Sequence, residues 1–278
     1  MIIDQVEEFG DSLIQHGPAN DRAYLMKLHR RDFPQILSYL NGLAVVKKYS
    51  KIFAKIPAYA RDRFEQSGYR VEAAVPKFYV GEEEGLFMAR YYHADRRIDH
   101  AADKVHEVLE AARNKEVSLE TPPQQDDYQY RLAQPGDCAQ MALLYQRVFA
   151  SYPFPIGDKD YLADTMAKNF LYAGIWKKGV LLALASAEID YAGSNAELAD
   201  FATDPDWQGH GFANLLLHQL ETEMRTSGIK TCFTIARAKS FSMNVCFAKN
   251  GYQFSGTLIK NTQIAGGLES MNVWYKHV

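Results

Sequence analysis

The sequence predicts a mixed α/β (α+β) protein, a mostly antiparallel sheet flanked by helices. Three observations lead there. Strand-like runs and amphipathic helical runs alternate along most of the 278 residues. A polar stretch, "NKEVSLETPPQQDDYQY" (114–130), carries Pro122-Pro123 and four acids and reads as a linker between residues 1–120 and 127–278. The pattern before the linker echoes the second half of the pattern after it.

In the N-terminal part "AYLMKLH" is a strand, and "DFPQILSYLNGLAVVKK" is a helix capped by Asp32 with Pro34 in its first turn. "SKIFAKIPA" is a strand and "YARDRFEQS" a helix. "YRVEAAVPKFYV" and "GLFMARYY" are strands. A helix then runs from about Ile98 to Arg113, with Ile98, Ala102, Val105, Leu109 and Ala112 on one face.

After the linker, "YQYRLAQ" is a strand, "DCAQMALLYQRVFASY" a helix capped by Asp137, and "KDYLADTMAKN" a short helix. "FLYAGIWKKG", "VLLALASAEIDY" and "AELADFATD" are strands. A helix spans about Phe212 to Thr226 and ends before Gly228. "IKTCFTIARA" is a strand, "SFSMNVCFAKN" a helix ended by Gly251, and "YQFSGTLI" and "SMNVWYK" are strands. The echo between the halves is specific in spacing. Phe64-x-x-x-Gly68-Tyr69 matches Phe247-x-x-x-Gly251-Tyr252, and Met88 and Met271 each lie 20 residues beyond their glycine.

A net charge of −3 offers no global basic field for nucleic acid. No apolar run approaches a membrane span, and the acidic start "MIIDQVEEFG" lacks a signal-peptide profile. Cys138, Cys232 and Cys246 are odd in number and lack metal-ligand spacing, which suits reduced thiols in the cytoplasm. The eight histidines show no metal spacing either, so no metal is expected.

The informative stretch is "FATDPDWQGHGFANLLLHQLE" (201–221). Gln208, Gly209, His210, Gly211, Phe212 and Ala213 join a strand to a helix start. First-turn amides lack intrahelical partners and carry partial positive charge. A loop with little side-chain bulk lets a pyrophosphate reach them. The N-terminal copy has "HRRDFPQ" there, with no glycine.

A Q/R-x-x-G-x-G/A loop after the fourth strand resembles the acetyl-CoA pyrophosphate loop of the GNAT acetyltransferase superfamily. Within it, "DFATDPDWQGHG", "TIARA", "MNVCFAKNGY", "SGTLIKNTQIAGG" and "MNVWYK" are similar to the family that acetylates the ε-amino group of β-lysine, making the compatible solute Nε-acetyl-β-lysine. The resemblance is strongest from about 195 to 275. It implies a GNAT fold for 127–278, preceded by a degenerate GNAT-like half domain without a cofactor loop. It implies acetyl-CoA as co-substrate and a small-molecule amine as acceptor, with no nucleic acid and no membrane. Assembly as a homodimer stays open.

An ε-ammonium has a pKa of about 10.4, so near pH 7 only about one molecule in a few thousand is a nucleophile. A general base is therefore expected. Strand alternation puts Glu197, Ala199, Phe201 and Thr203 on one face and Leu198, Asp200 and Ala202 on the other. Glu197 and Asp200 are rival bases. The resemblance implies a main-chain donor near Phe201 or Ala202 for the thioester oxygen, a bulge splaying the fourth and fifth strands, and a pantetheine arm along the strand end at Phe201, Ala202 and Thr203. Many members protonate the thiolate with a tyrosine four residues before the glycine of the last helix. Phe247 stands there, and packing against the pantetheine or the core is expected of it. Tyr252 or a water could supply that proton instead, and a thiolate with pKa near 8.5 can leave without a strong acid.

Asn244 is a candidate for the cofactor arm, with a helix cap as the alternative. Arg237 is the first choice for the acceptor's carboxylate, since arginine clasps a carboxylate bidentately. Tyr152 and Phe154, in the aromatic, Pro-rich "SYPFPIGD" (151–158), are expected to wall the acceptor chain, with Asn261 and Thr262 completing the pocket. Two other readings compete: a transferase for another diamino acid, a polyamine or a protein lysine, and a non-catalytic acyl-CoA sensor, motivated by Phe247.

Overall fold

A computed structural model describes residues 4–118 and 127–278. The middle of the expected linker, with Pro122-Pro123, lies outside the described residues. The N-terminal elements are β1 (Gln5–Phe9), β2 (Ser12–Gly17), β3 (Arg22–Lys27), α1 (Gln35–Lys47), β4 (Lys51–Pro57), α2 (Arg61–Gln66), β5 (Arg70–Tyr79), β6 (Glu83–Tyr91) and α3 (Ala102–Arg113). Next come β7 (Gln129–Leu132), α4 (Cys138–Val148), α5 (Lys159–Lys168), β8 (Phe170–Lys177), β9 (Val180–Asp190) and β10 (Asn195–Thr203). The chain ends with α6 (Phe212–Thr226), β11 (Thr231–Arg237), α7 (Phe241–Lys249), β12 (Gln253–Ile264) and β13 (Gly267–His277). The hairpin β1–β2 is not legible in the sequence: β1 is short and largely exposed, and β2 buries the polar Ser12, Gln15 and His16, so no apolar alternation marks it.

All strands join one sheet in the order β1-β2-β3-β4-β6-β5-β12-β13-β11-β10-β9-β8-β7. The order reveals the internal repeat. The unit β3-α1-β4-α2-β5-β6 pairs as 3-4-6-5, and β10-α6-β11-α7-β12-β13 pairs as 10-11-13-12. In each, the first two strands are parallel and the others antiparallel. The two units meet where β5 pairs with β12, at Ala73 and Gly256. A glycine is required there, because a Cβ on residue 256 would lie 2.0 Å from the Glu72 carbonyl oxygen. Beside it, the Ser255 hydroxyl accepts from the Ala74 amide and donates to the Ala74 carbonyl.

Apolar clusters follow the same division. One packs α1 and α2 on the N-terminal strands and includes Ile36, Leu40, Ile52, Phe64 and Met88. Another packs α6 and α7 on the C-terminal strands. A third, with Met141, Tyr145, Leu162 and Leu184, lies under α4 and α5. A fourth crosses the seam, joining Phe53, Phe78 and Phe87 to Phe233, Leu258 and Met271. Its rings are in contact, with Phe78 and Phe233 centroids 4.9 Å apart.

The seam is also polar. β12 departs from regular pairing between Leu258 and Thr262, and Lys260 takes φ 41°. Three successive carbonyls of that bulge accept from N-terminal cations. Lys51 Nζ donates to Ile259 O at 2.8 Å, Arg96 Nε to Lys260 O at 2.9 Å, and Arg22 Nη1 to Asn261 O.

Two expected caps differ. The Asp32 carboxylate does not cap α1, which starts after Pro34 without a side-chain cap. It accepts instead from Asp11 N and Ser12 Oγ, holding the β1–β2 turn. The Asp137 carboxylate accepts from Gln134 N and pairs with Arg131 rather than bonding into α4.

Candidate active site

The loop after β10 begins with Asp204, whose carboxylate accepts from Asp206 N in a tight turn and pairs with Arg147. Gly209 and Gly211 both have left-handed backbones, at φ 84° and 76°. A Cβ built on either would meet no atom within 4 Å. Internal packing therefore does not explain these glycines; backbone conformation and an open approach do. Gly211 is the N-cap of α6, whose first bonds run from Asn214 N and Leu215 N to Gly211 O. The amides ahead of Asn214 are left for an anion. His210 is exposed and stacks on Phe212, centroids 5.6 Å apart.

The strand before the loop is irregular. Between Ala199 and Ala202, β10 carries one residue more than β9, and the extra residue, Asp200, sits at φ 55°. Such a bulge shifts the side-chain phase by one residue. The expected alternation therefore fails beyond Ala199. Phe201 crosses to the α6–α7 side, its ring edge-on to Phe247 at 5.6 Å. Ala202 turns to the α4–α5 side. Asp200 joins Glu197 on the face lining a cleft of about 1030 Å³. The strands splay here as expected: β10 pairs with β11 only from Asn195 to Glu197, while β11 continues along β13 to Arg237.

The two acids have different surroundings. Asp200 accepts from the hydroxyls of Tyr152 and Ser186, the latter at 2.6 Å. Burial raises its pKa, and those two bonds oppose the rise. Glu197 has no hydrogen-bond or ion-pair partner among the described residues. Burial is the main cause that lifts it to about 7, with Lys55 opposing and the Glu188 and Asp200 charges adding. Glu188, opposite Glu197 on β9, is also raised by burial. Facing these acids from the N-terminal strands are Arg22, Tyr24 and Lys55.

The pattern of the acetyltransferase (GNAT) family matches residues 139–252. The β-lysine N(6)-acetyltransferase of Methanococcus maripaludis is 33% identical over 274 residues, covering 99% of each chain. This chain belongs to the GNAT acetyltransferase family. The Methanosarcina mazei β-lysine N(6)-acetyltransferase is 30% identical over 87% of this chain and 96% of its own. The N-acetyltransferase YodP of Bacillus subtilis is 34% identical over 80% of this chain and 78% of its own. The chain is thus an acetyltransferase, and acetyl-CoA is the acetyl donor of its family. The open glycine loop, its first-turn amides and the splayed strands fit that molecule. Among the described residues, no cluster could hold a metal ion, and no helix is long and apolar enough to cross a membrane.

In this GNAT frame several expected residues converge. Glu197, Asp200, Phe201, Tyr152, Phe154, Asn261 and Thr262 all line the cleft. Phe247 does too, while also packing on Phe201 and Tyr252. Tyr252 is buried in the α6–α7 core and does not reach the cleft among its lining residues.

Two expectations are corrected. Asn244 is fully buried and spends its amide internally. Its Nδ2 donates to Arg237 O and Ser240 O, and its Oδ1 accepts from Asn272 and Trp274. That ties α7 to β11 and β13 and leaves nothing for the cofactor arm. Arg237 lines the cleft, but its fork is occupied by Glu269, with bonds of 2.9 and 3.0 Å. A guanidinium already clasped by a carboxylate is a poor seat for a second.

Sequence reasoning missed Glu188, Arg22 and Lys55. Glu188 had a signal, a lone acid inside the apolar run "LLALASAEI". The other two had none, because their place in the cleft comes from the meeting of the two halves.

Proposed function

We propose that this GNAT enzyme acetylates the ε-amino group of β-lysine, giving Nε-acetyl-β-lysine, a compatible solute. The observation that carries this reading is Glu197, an unpartnered carboxyl near pKa 7, beside the splayed strands and the glycine loop. Whole-length likeness to two β-lysine N(6)-acetyltransferases supports the acceptor.

Acetyl-CoA supplies the acetyl group as a thioester. Gly209 and Gly211 open the loop, and the amides of Gly211, Phe212 and Ala213 bind the pyrophosphate. Gln208 and His210 flank it, and Phe201, Ala202 and Thr203 offer an unpaired strand edge to the pantetheine arm. Glu197 takes a proton from the ε-ammonium, so the amine adds to the carbonyl carbon as the N–C bond forms. An amide near Phe201 or Ala202 donates to the oxygen that gains charge. The C–S bond then breaks, the thiolate leaves with its pKa near 8.5 making a strong acid unnecessary, and the second proton shed by the acylated nitrogen passes through water to that thiolate, giving the free thiol. Phe247 accordingly serves as an apolar wall. The acids Glu188 and Asp200 favour a cationic acceptor. The three cysteines, buried and unpaired, fit the cytoplasm.

The experiment is direct. Purified protein is incubated with acetyl-CoA and α-lysine, β-lysine, ornithine or spermidine, and thiol release is followed. β-Lysine should react fastest. Equal rates on all four would sink the acceptor assignment, and no release from any would favour a sensor.

A further inference from the structure

Three N-terminal cations hold the three carbonyls of the β12 bulge, yet they are not equivalent. Lys51 is paired with Glu72 at 2.9 Å, and Arg96 with Asp21 at 3.3 Å. Arg22 has no carboxylate within 4.0 Å among the described residues. It is 3% exposed. Its Nη1 is used by Asn261 O and Thr262 Oγ1, and its Nη2 makes only a 3.4 Å contact with Gln15 Oε1. Its Nε has no hydrogen-bond partner among the described residues. The guanidinium lies over Tyr24 and Phe53, 5.1 and 5.7 Å from the ring centroids. A buried cation without an anion beside it is costly, because its lost hydration is not replaced. The carbonyl bond to Asn261 could be made by a neutral donor, so it does not explain a charge here.

Arg22 lines the same cleft as Glu197. Asn261, beside it, has an unpartnered buried side-chain oxygen. The free Nε and barely used Nη2 form the edge of a guanidinium that clasps carboxylates bidentately. Asn261 Oδ1 is an acceptor suited to a neighbouring ammonium.

We infer that Arg22, from the N-terminal half, binds the carboxylate of the acceptor, so that the enzyme selects diamino acids over diamines. The inference rests on the acetyltransferase reading of the cleft. It gives the N-terminal half a part in substrate recognition. One end of the acceptor is held by Arg22 and Asn261, while its far amine meets Glu197. A polyamine would leave the Arg22 charge uncompensated and place its own charge beside it.

The test compares β-lysine with 1,4-diaminopentane, the same diamine without the carboxylate, on wild type and Arg22→Met. Wild type should prefer β-lysine. Arg22→Met should lower kcat/KM for β-lysine about 10–100-fold, the loss expected for one charge-assisted contact, chiefly through KM. The diamine should change by less than about threefold on the same scale. Arg22→Lys retains a cation and a donor for Asn261 O; it should fall between, and it serves if Arg22→Met fails to fold. Equal losses on both acceptors, or a wild type that uses the diamine as well as β-lysine, would overturn the inference. If another amino acid is accepted instead of β-lysine, the acceptor assignment fails. Arg22 is then tested on that amino acid against its own decarboxylated amine. A wild type that accepts only amines without a carboxylate, or no amine at all, overturns both.

Discussion

Glu188 and Glu197 stand directly opposite each other, on adjacent antiparallel strands and on the face that lines the cleft. Like charges so placed disfavour joint ionisation, and burial adds to the effect. Glu197 is held near 7, where it can change protonation at working pH.

The rate with β-lysine should therefore rise with pH through about 7, as Glu197 loses its proton and becomes a base. Glu197→Gln should remove that limb and lower the neutral-pH rate, with partial recovery at high pH, where more of the amine is free. Stability should move oppositely. The folded pKa lies above the ordinary 4.5, so the fold binds this proton more tightly than the unfolded chain does, and stability is lost as pH rises from 4.5 to about 7. The loss is on the order of 3 kcal/mol. Denaturant titrations across that range should show a flatter slope for Glu197→Gln.

Asp200 should behave differently. Its two oxygens are engaged by Tyr152 and Ser186. Asp200→Asn keeps a residue type that tolerates a positive φ and should retain the pH limb near 7. Tyr152→Phe should cost about 1–3 kcal/mol of stability by leaving a buried carboxylate oxygen short of a donor. Losing the limb in Asp200→Asn would move the base from Glu197 to Asp200.

Gly211→Val should abolish acetyl-CoA binding at concentrations that saturate the wild type. A β-branched residue at φ 76° is strained, by about 1–3 kcal/mol, and its side chain would fill the open approach to α6. Calorimetry on the folded variant decides this; unchanged affinity would refute the loop assignment.

One acetyl-CoA should bind per chain. The N-terminal half, read as a degenerate GNAT-like domain over residues 1–120, has no glycine in the "HRRDFPQ" segment that leads into α1. A calorimetric stoichiometry of two would contradict this.

Gly256→Val should destabilise the whole chain. Its Cβ would collide with the Glu72 carbonyl, and the seam would open or shift, at a cost of about 1–3 kcal/mol or more. Thermal unfolding gives the answer, and an unchanged Tm would show that the seam can yield.

The sequence alone determined most elements, the internal repeat and the loop from Gln208 to Ala213. Those features are written in local terms: helical and strand periodicity, and glycines where a backbone must turn left-handed. It placed Glu197 and Asp200 in the right strand but on opposite faces, because one extra residue at position 200 reverses the phase and no composition signal marks it. Only the tertiary structure decided which arginine is free. Arg237 and Arg22 look alike as strand residues, yet Glu269 meets one, and among the described residues no carboxylate pairs with the other. The partners of a side chain lie far along the chain, Asn261 being 239 residues from Arg22. Their meeting follows from how two repeats join at Gly256, which periodicity does not encode.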